Sequence, residues 1–384
     1  MRVAVDVAAA VNQKAGIGRY ARGILGALAE ISADDWFLQL APRANGAPYQ
    51  GPPPRPFARG RRVQLPVTER YLWILWHQLN LPLPPDLLAP RLDVFYNPDF
   101  VLPALAYAPG VCTVHDLGFM TVPDCAFPKL RDILLRTVPR SVQRARLVMA
   151  VSQHTRDDLV RLLGVAPDRI RIAGNAVDPT FRPMRDGGWL EAERARLSAS
   201  LGADLREPFL LAVGTIEPRK NLPRLFEALA ILRDRGRPLR LVVAGRDGWL
   251  FEPIYRRLEQ LCLRSQVSFL HGPSDADLLA LYNLAAVMVF PSLYEGFGLP
   301  PLEALACGAV VVCSNASSLP EVVGDAALLA DPHDSEALAA AIERALDDAT
   351  LRDELARRGP PRAARYTWSG SARAVHAALR EASA

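Results

Sequence analysis

The chain has 384 residues, 50% of them hydrophobic and 22% charged, with 45 basic against 41 acidic side chains and a net charge of +4. That length asks for two domains of ordinary size, and that composition excludes a disordered, collagenous or fibrous protein. Apart from Lys14, Lys129 and Lys220, every basic side chain is an arginine, a bias that reflects coding habit and argues little for nucleic-acid binding, which wants basic residues clustered on one face.

From the N-terminus onward, short β-branched runs alternate with longer stretches of helical period, the mark of parallel sheets with crossover helices. The first half predicts strands near Arg2–Val7, Leu92–Tyr96, Val111–Val114 and Leu147–Val151. Helices are predicted over Ile17–Ala29, Pro128–Arg144 and Ser152–Leu163, with Ser152 at an N-cap and Gly164 at a C-terminal stop. Pro42–Pro66, rich in Pro, Gly and Arg, reads as a long loop, and Asp178–Pro208 as a linker. The second half predicts strands near Phe209–Val213, Leu239–Ala244, Val267–Leu270, Val287–Phe290 and Ala309–Cys313. Between them fall helices at Leu222–Arg235, Ile254–Leu263, Asp275–Ala285 and Pro300–Ala306. Two doubly wound α/β halves place ligands beyond the carboxyl ends of their strands. A pair of such domains makes a cleft, a preferred place for small-molecule sites.

Cys112, Cys125, Cys262, Cys307 and Cys313 are odd in number and contain no C-x-x-C pair. They speak against a disulfide framework or zinc site and for a reducing cytosol. Asp6 interrupts the N-terminal apolar run where a signal peptide needs an unbroken core. Asn283 and Pro291 break the apolar stretch Leu278–Tyr294 into a helix and a strand, too short to span a bilayer. The expectation is a cytoplasmic protein. The aromatic stretch Tyr71–Leu83 beside Arg55–Arg62 reads as a core helix, with peripheral contact at the inner face of a membrane as the alternative.

The most informative segment is Phe290–Gly308, F-P-S-L-Y-E-G-F-G-L-P-P-L-E-A-L-A-C-G. A buried strand ends at Phe290, a glycine-bearing loop carries Glu295, and a helix starting near Pro300 carries Glu303. The backbone N–H groups of Gly296, Phe297, Gly298 and Leu299 fall at that helix start, a ready anion site for phosphate or sugar oxygens. The alternative is a surface turn with a solvated glutamate. Arg219 and Lys220 follow the strand Phe209–Val213 at the start of another helix, where side-chain cations and the helix dipole act together. Asp275 and Asp277 form a D-x-D triplet, but after Ser274 they suit a helix N-terminus, and no metal is expected.

These residues resemble a known family. Glu295-x7-Glu303 is similar to the signature of the retaining glycosyltransferases of family four, also called glycosyl transferases group 1, and its wording is mannosyltransferase-like. Val213–Asn221, V-G-T-I-E-P-R-K-N, resembles the family's donor-phosphate loop, Leu270–Gly272 its base-binding segment and Ser317–Asp331 its usual C-terminal run. Lys14–Tyr20, K-A-G-I-G-R-Y, resembles the N-terminal glycine loop, Val114–Leu117 the histidine loop, and Tyr366–Trp368 the aromatic element before a final helix. The position after the strand's glycine, arginine in many relatives, is Thr215 here, which makes Lys220 rather than Arg219 the leading phosphate partner.

The resemblance implies an α/β protein of GT-B fold, with two Rossmann-like doubly wound domains facing a central cleft. Residues 1–180 would form the acceptor domain, 181–365 the nucleotide-sugar donor domain, and 366–384 a helix crossing back to the first. It implies a retaining, metal-independent hexosyltransferase that needs no cofactor and makes polysaccharide, with the nucleotide-sugar as substrate. The preferred donor is GDP-mannose, with a UDP-glucose-type donor or a nucleotide-sugar epimerase as alternatives. The acceptor would be a glycan or a lipid-linked saccharide. His115, Lys220 and Glu295 would be catalytic. Gly16, Gly18, Arg219, Lys220, Gly296, Phe297, Gly298, Leu299 and Glu303 would bind the donor, with Glu303 on the ribose hydroxyls and Glu295 towards the sugar.

Overall fold

The computed structural model describes residues 1–13, 16–43, 57–68, 71–72, 74–78, 84–88 and 91–384. Lys14 and Ala15 of the glycine loop, residues 44–56 of the Pro- and Arg-rich stretch, and residues 73 and 79–83 of the aromatic stretch lie outside those. The chain divides into two units: Met1–Leu117 with Asp132–Ala176 and Tyr366–Ala384, and Gly118–Arg131 with Val177–Arg365.

In the first unit seven strands form one sheet: β1 (Arg2–Asp6), β2 (Trp36–Arg43), β3 (Gly60–Thr68), β4 (Val94–Asn97), β5 (Gly110–Val114), β6 (Leu147–Ala150) and β7 (Ile170–Ile172). Their order is β3-β2-β1-β4-β5-β6-β7, every pair parallel. The second unit has β8 (Phe209–Val213), β9 (Arg240–Gly245), β10 (Val267–His271), β11 (Val287–Phe290), β12 (Val311–Ser314) and β13 (Leu328–Ala330). These run β10-β9-β8-β11-β12-β13, again all parallel. Winding reverses between β1 and β4 and between β8 and β11, so each sheet has a switch point. Strands β4, β5, β6, β8, β11 and β12 are buried along their whole length. That is why they read as unbroken apolar runs rather than alternating ones.

Two expectations are corrected. The stretch read as a loop over Pro42–Pro66 holds, in its described part, the end of β2 and most of the edge strand β3, which pairs with β2 through a register shift between Ala41 and Arg43. Val63, Leu65 and Val67 alternate with exposed Gln64 and Pro66, a period of two that the Pro- and Arg-rich surroundings obscure. The supposed linker Asp178–Pro208 holds the helix Gly187–Leu201, capped by the Asp186 carboxylate, which accepts from the N–H groups of Gly188 and Trp189, and stopped at Gly202. Only Leu197 of that helix is buried, which explains its polar composition.

Gly118–Arg131 belongs to the second unit although sequence order places it in the first. The indole Nε1 of Trp249 donates to the Cys125 carbonyl at 2.7 Å, tying that segment down. No described helix is long and apolar enough to cross a membrane. In the aromatic stretch Tyr71 is 61% exposed whereas Trp76 is buried.

The final helix, Trp368–Ser383, packs on the helix Gly16–Ile31 within the first unit and buries Ala372, Val375, Ala378, Leu379 and Ala382. Gly23 makes this possible: a Cβ there would lie 2.4 Å from the Trp368 ring. Gly26, three residues on, has nothing within 4 Å of such a Cβ. Gly23→Ala should therefore destabilise the protein by about 1–3 kcal/mol through overpacking. Gly26→Ala should stabilise it by about 0.5–1 kcal/mol by removing a helix-interior glycine. Thermal unfolding of both variants checks this, and equal shifts would contradict the Trp368 contact.

Candidate active site

The switch point of the second sheet lies between β8 and β11, and the loops leaving their carboxyl ends converge. After β8 the chain turns through Gly214–Glu217, makes one tight helical turn at Pro218–Lys220, and enters the helix Leu222–Asp234. After β11 it runs through Pro291–Gly298 into the helix Leu299–Ala306. Asn221, in the left-handed region with φ 56°, joins the two loops. Its amide Nδ2 donates to the carbonyls of Pro291 at 3.0 Å and Pro332 at 2.7 Å. The Leu293 N–H donates to the Arg219 carbonyl at 2.9 Å.

A chain of charges fills the junction. Lys220 Nζ donates to Glu295 Oε1 at 2.6 Å, and Arg219 Nη1 lies 2.8 Å from Glu295 Oε2. The same guanidinium donates through Nη1 to the Tyr294 carbonyl at 2.9 Å and through Nη2 to Glu217 Oε1 at 2.8 Å. The Lys220 ammonium also sits 4.8 Å over the Phe290 ring. Glu295 is only 7% exposed. Burial pushes its carboxyl up, but Arg219 and Lys220 outweigh that and hold it at about 2. For Glu217, equally buried, desolvation prevails over Arg219 and Lys220 and its carboxyl is raised.

The Glu295 backbone is fixed from β12's side: its N–H donates to Ser317 Oγ at 2.8 Å, and Ser318 Oγ donates to the carbonyls of Glu295 and Phe297, both at 2.9 Å. Gly296 and Phe297 continue this loop, and Gly298 caps the helix at φ 103°, where an L-side chain is strained and a Cβ would meet Leu319 at 2.6 Å. The helix begins at Leu299 with Pro300 next, so the start read from proline holds to within a residue. Glu303, one turn inside, is 3% exposed, and its Oε2 accepts from Tyr282 Oη at 3.0 Å.

Gly16, Gly18 and His115 belong to the first unit. Gly16 opens its helix with nothing within 4 Å of an added Cβ, whereas a Cβ on Gly18 would lie 2.0 Å from the Gln13 carbonyl oxygen. The close approach at Gly18 is thus to the protein's own backbone. That turn is braced by Arg22 Nη1, which donates to the carbonyls of Gln13 at 2.7 Å and Ala10 at 3.1 Å. His115 follows β5 and is 8% exposed. Its Nε2 lies 2.9 Å from the Pro98 carbonyl, which can only accept, so the proton is on Nε2. Burial lowers its pKa, favouring the neutral imidazole. The edges of Tyr20 and Phe100 pack on it at 4.8 Å and 5.4 Å between centroids.

Asp277 caps its helix with Ser274 and pairs with Arg196 Nη2 at 2.7 Å. Sequence reasoning missed Glu217, Tyr282, Ser317 and Ser318 as site residues. Glu217 stands inside the E-P-R-K-N wording, two before Arg219, and its sign could have singled it out. Nothing in the pattern of the helix Asp275–Leu284 distinguishes Tyr282 from a core tyrosine.

The chain belongs to glycosyltransferase family 4. Residues 193–362 match the family described as Glycosyl transferases group 1, and residues 15–181 match Glycosyltransferase Family 4. The O-antigen chain mannosyltransferase B of Escherichia coli is 35% identical over 277 residues, 72% of this chain and 71% of that one. The serotype-specific mannosyltransferase WbdA of Escherichia coli is 34% identical over 68% of this chain, which spans only 32% of WbdA. Among solved structures, a sucrose-phosphate synthase from Thermosynechococcus elongatus covers 99% of this chain and 98% of its own at a TM-score of 0.77 and 21% identity. That likeness shows the fold: two Rossmann-like parallel sheets of the GT-B class.

The Glu295 carboxyl lies at about 2 in the folded chain against 4.5 ordinarily. A folded value below the unfolded one stabilises above pH 4.5, and that contribution is lost as pH falls from 4.5 towards 2. Lys220→Met should destabilise the protein at pH 7, and the gap to the parent should narrow over that range. Thermal unfolding of both proteins from pH 7 downward measures it; a gap independent of pH would mean the ion pair contributes nothing.

Proposed function

We propose that this chain is a retaining mannosyltransferase, moving mannose from GDP-mannose to a hydroxyl of a glycan or lipid-linked acceptor without a metal ion. The observation that carries the reading is the pairing of two cations with a buried carboxylate at the switch point, beside the glycine-capped start of the helix Leu299–Ala306. A departing nucleoside diphosphate needs fixed positive charge in a site with little water. The mannosyltransferase names of its relatives favour the donor sugar, and the O-antigen names favour a saccharide acceptor.

In this reading Lys220 and Arg219 neutralise the diphosphate, and the N–H groups from Gly296 to Leu299 add the helix dipole. Glu303 accepts from the ribose diol, since an ionised carboxylate is acceptor-only. Tyr282 directs that carboxylate by holding one of its oxygens. Glu295 receives hydroxyls of the donor sugar and lies near the positive charge that develops at the anomeric carbon. His115 serves the donor sugar, and Gly16 and Gly18 the phosphates and acceptor. The fixed cations take the part a metal plays elsewhere, so turnover should survive excess EDTA.

Incubation with GDP-mannose and UDP-glucose should release free nucleoside diphosphate only from GDP-mannose and only with a saccharide acceptor present. An α-linked product from the α-linked donor would establish retention. Conversion of the donor sugar without acceptor would point to an epimerase, and turnover of UDP-glucose alone would reassign the donor. Lys220→Ala should lower kcat about a hundredfold or more while nucleotide binding falls less. Glu303→Gln should weaken nucleotide binding by about 1.5–3 kcal/mol, the scale of a charged hydrogen bond. Unchanged nucleotide affinity in that variant would remove Glu303 from the ribose.

A further inference from the structure

Glu295 does more than face a sugar: both its oxygens are engaged by the cations that the proposed function assigns to the diphosphate. Oε1 takes Lys220 at 2.6 Å and Oε2 takes Arg219 at 2.8 Å. The side chains of Glu295 and Lys220 are 10% and 12% exposed, so water screens the pairing little. The Ser317 and Ser318 hydroxyls fix the backbone on both sides of Glu295, so that only its side-chain torsions are left to move the carboxylate. A diphosphate reaching Lys220 therefore meets a carboxylate already in place, and the two anions cannot share both cations without repulsion. What Glu295 loses must be replaced, because a buried carboxylate stripped of its partners is costly.

Resting on the proposed function, we infer that Glu295 is a specificity-determining residue that selects the sugar-bearing donor over the spent nucleoside diphosphate. The intact donor takes Lys220 and Arg219 from Glu295 but returns hydroxyl donors from its sugar. The spent nucleotide takes the same cations and returns nothing. Glu295 thus acts as an internal competitor that weighs selectively against product, and reformation of its two ion pairs helps expel the nucleoside diphosphate after transfer. The carboxylate is the group that matters here, because a neutral amide of the same shape competes weakly for an ammonium and a guanidinium.

The test is calorimetric titration of the full chain with GDP, with UDP run alongside, and with the unreactive donor analogue GDP-2-deoxy-2-fluoromannose. Glu295→Gln should bind the nucleoside diphosphate about tenfold more tightly than the parent, the factor that 1.4 kcal/mol sets. It should gain less or lose affinity for the donor analogue, so that the ratio of the two dissociation constants moves towards the product. Glu295→Asp, which keeps the charge on a shorter arm, should fall between the two and serves if the glutamine variant does not fold. Parent-like or weaker nucleoside diphosphate binding in the folded glutamine variant would overturn the inference. Lys220→Ala separates the two layers. If it weakens nucleoside diphosphate binding while Glu295→Gln leaves it unchanged, the cation site stands and the competition is refuted; if it has no effect, the proposed donor site itself fails.

Discussion

A carboxylate nearly closed off from water can keep its charge only where cations are brought to it, and in the second unit the surrounding loops are built around that requirement. Removing an ion from water costs several kcal/mol even after relaxation, by a rough measure. Glu295 recovers that cost from Lys220 and Arg219, which arrive from the other side of the switch point. For the cations to arrive, the loop after β8 must lie against the loop after β11. Asn221 is twisted into the left-handed region to hold it there, its amide spanning two carbonyls. The same constraint explains the serines after β12: a charged side chain is held in register only if its own backbone is anchored.

The two cations divide the work by shape. The planar guanidinium of Arg219 divides its contacts between two nitrogens, Nη1 on Glu295 and the Tyr294 carbonyl and Nη2 on Glu217. Lys220, one of three lysines in a chain otherwise supplied with arginine, puts a compact charge between the Phe290 ring and one carboxylate oxygen. Glu217 completes the arrangement by holding Arg219 from its far side. Two cations thus face two carboxylates at this junction, paired with one another rather than left as a positive pocket.

Much of this was legible in the sequence. Strands β8 and β11 were read to the residue because fully buried parallel strands are unbroken apolar runs bounded by glycine or proline. The loop–helix segment from Phe290 to Gly308 announced itself through paired carboxylates, glycines and prolines whose local chemistry leaves few alternatives. The helix Gly187–Leu201 stayed hidden because it buries only Leu197, and the edge strand β3 because its short alternation of Val63, Leu65 and Val67 is set among Pro and Arg. The contact of Tyr282 with Glu303 joins residues 21 apart, from separate helices, and only the packing of those helices brings them together. Proximity in sequence likewise misleads at Gly118–Arg131, whose turn Pro123–Cys125 packs on Pro218–Lys220 and takes a hydrogen bond from Trp249.

Trp368 stacked into the notch at Gly23 has a consequence for how the molecule is made. The first unit opens with β1, yet its helix Trp368–Ser383 follows the second unit's Val177–Arg365 in the chain. A ribosome therefore delivers most of one core long before the piece that closes it. Until then the apolar face that Val375 and Leu379 cover lacks its partner. The second unit needs only the short segment around Cys125 from earlier in the chain and is complete once Arg365 has emerged. Order of synthesis thus runs opposite to order of completion: the half that starts first is sealed last.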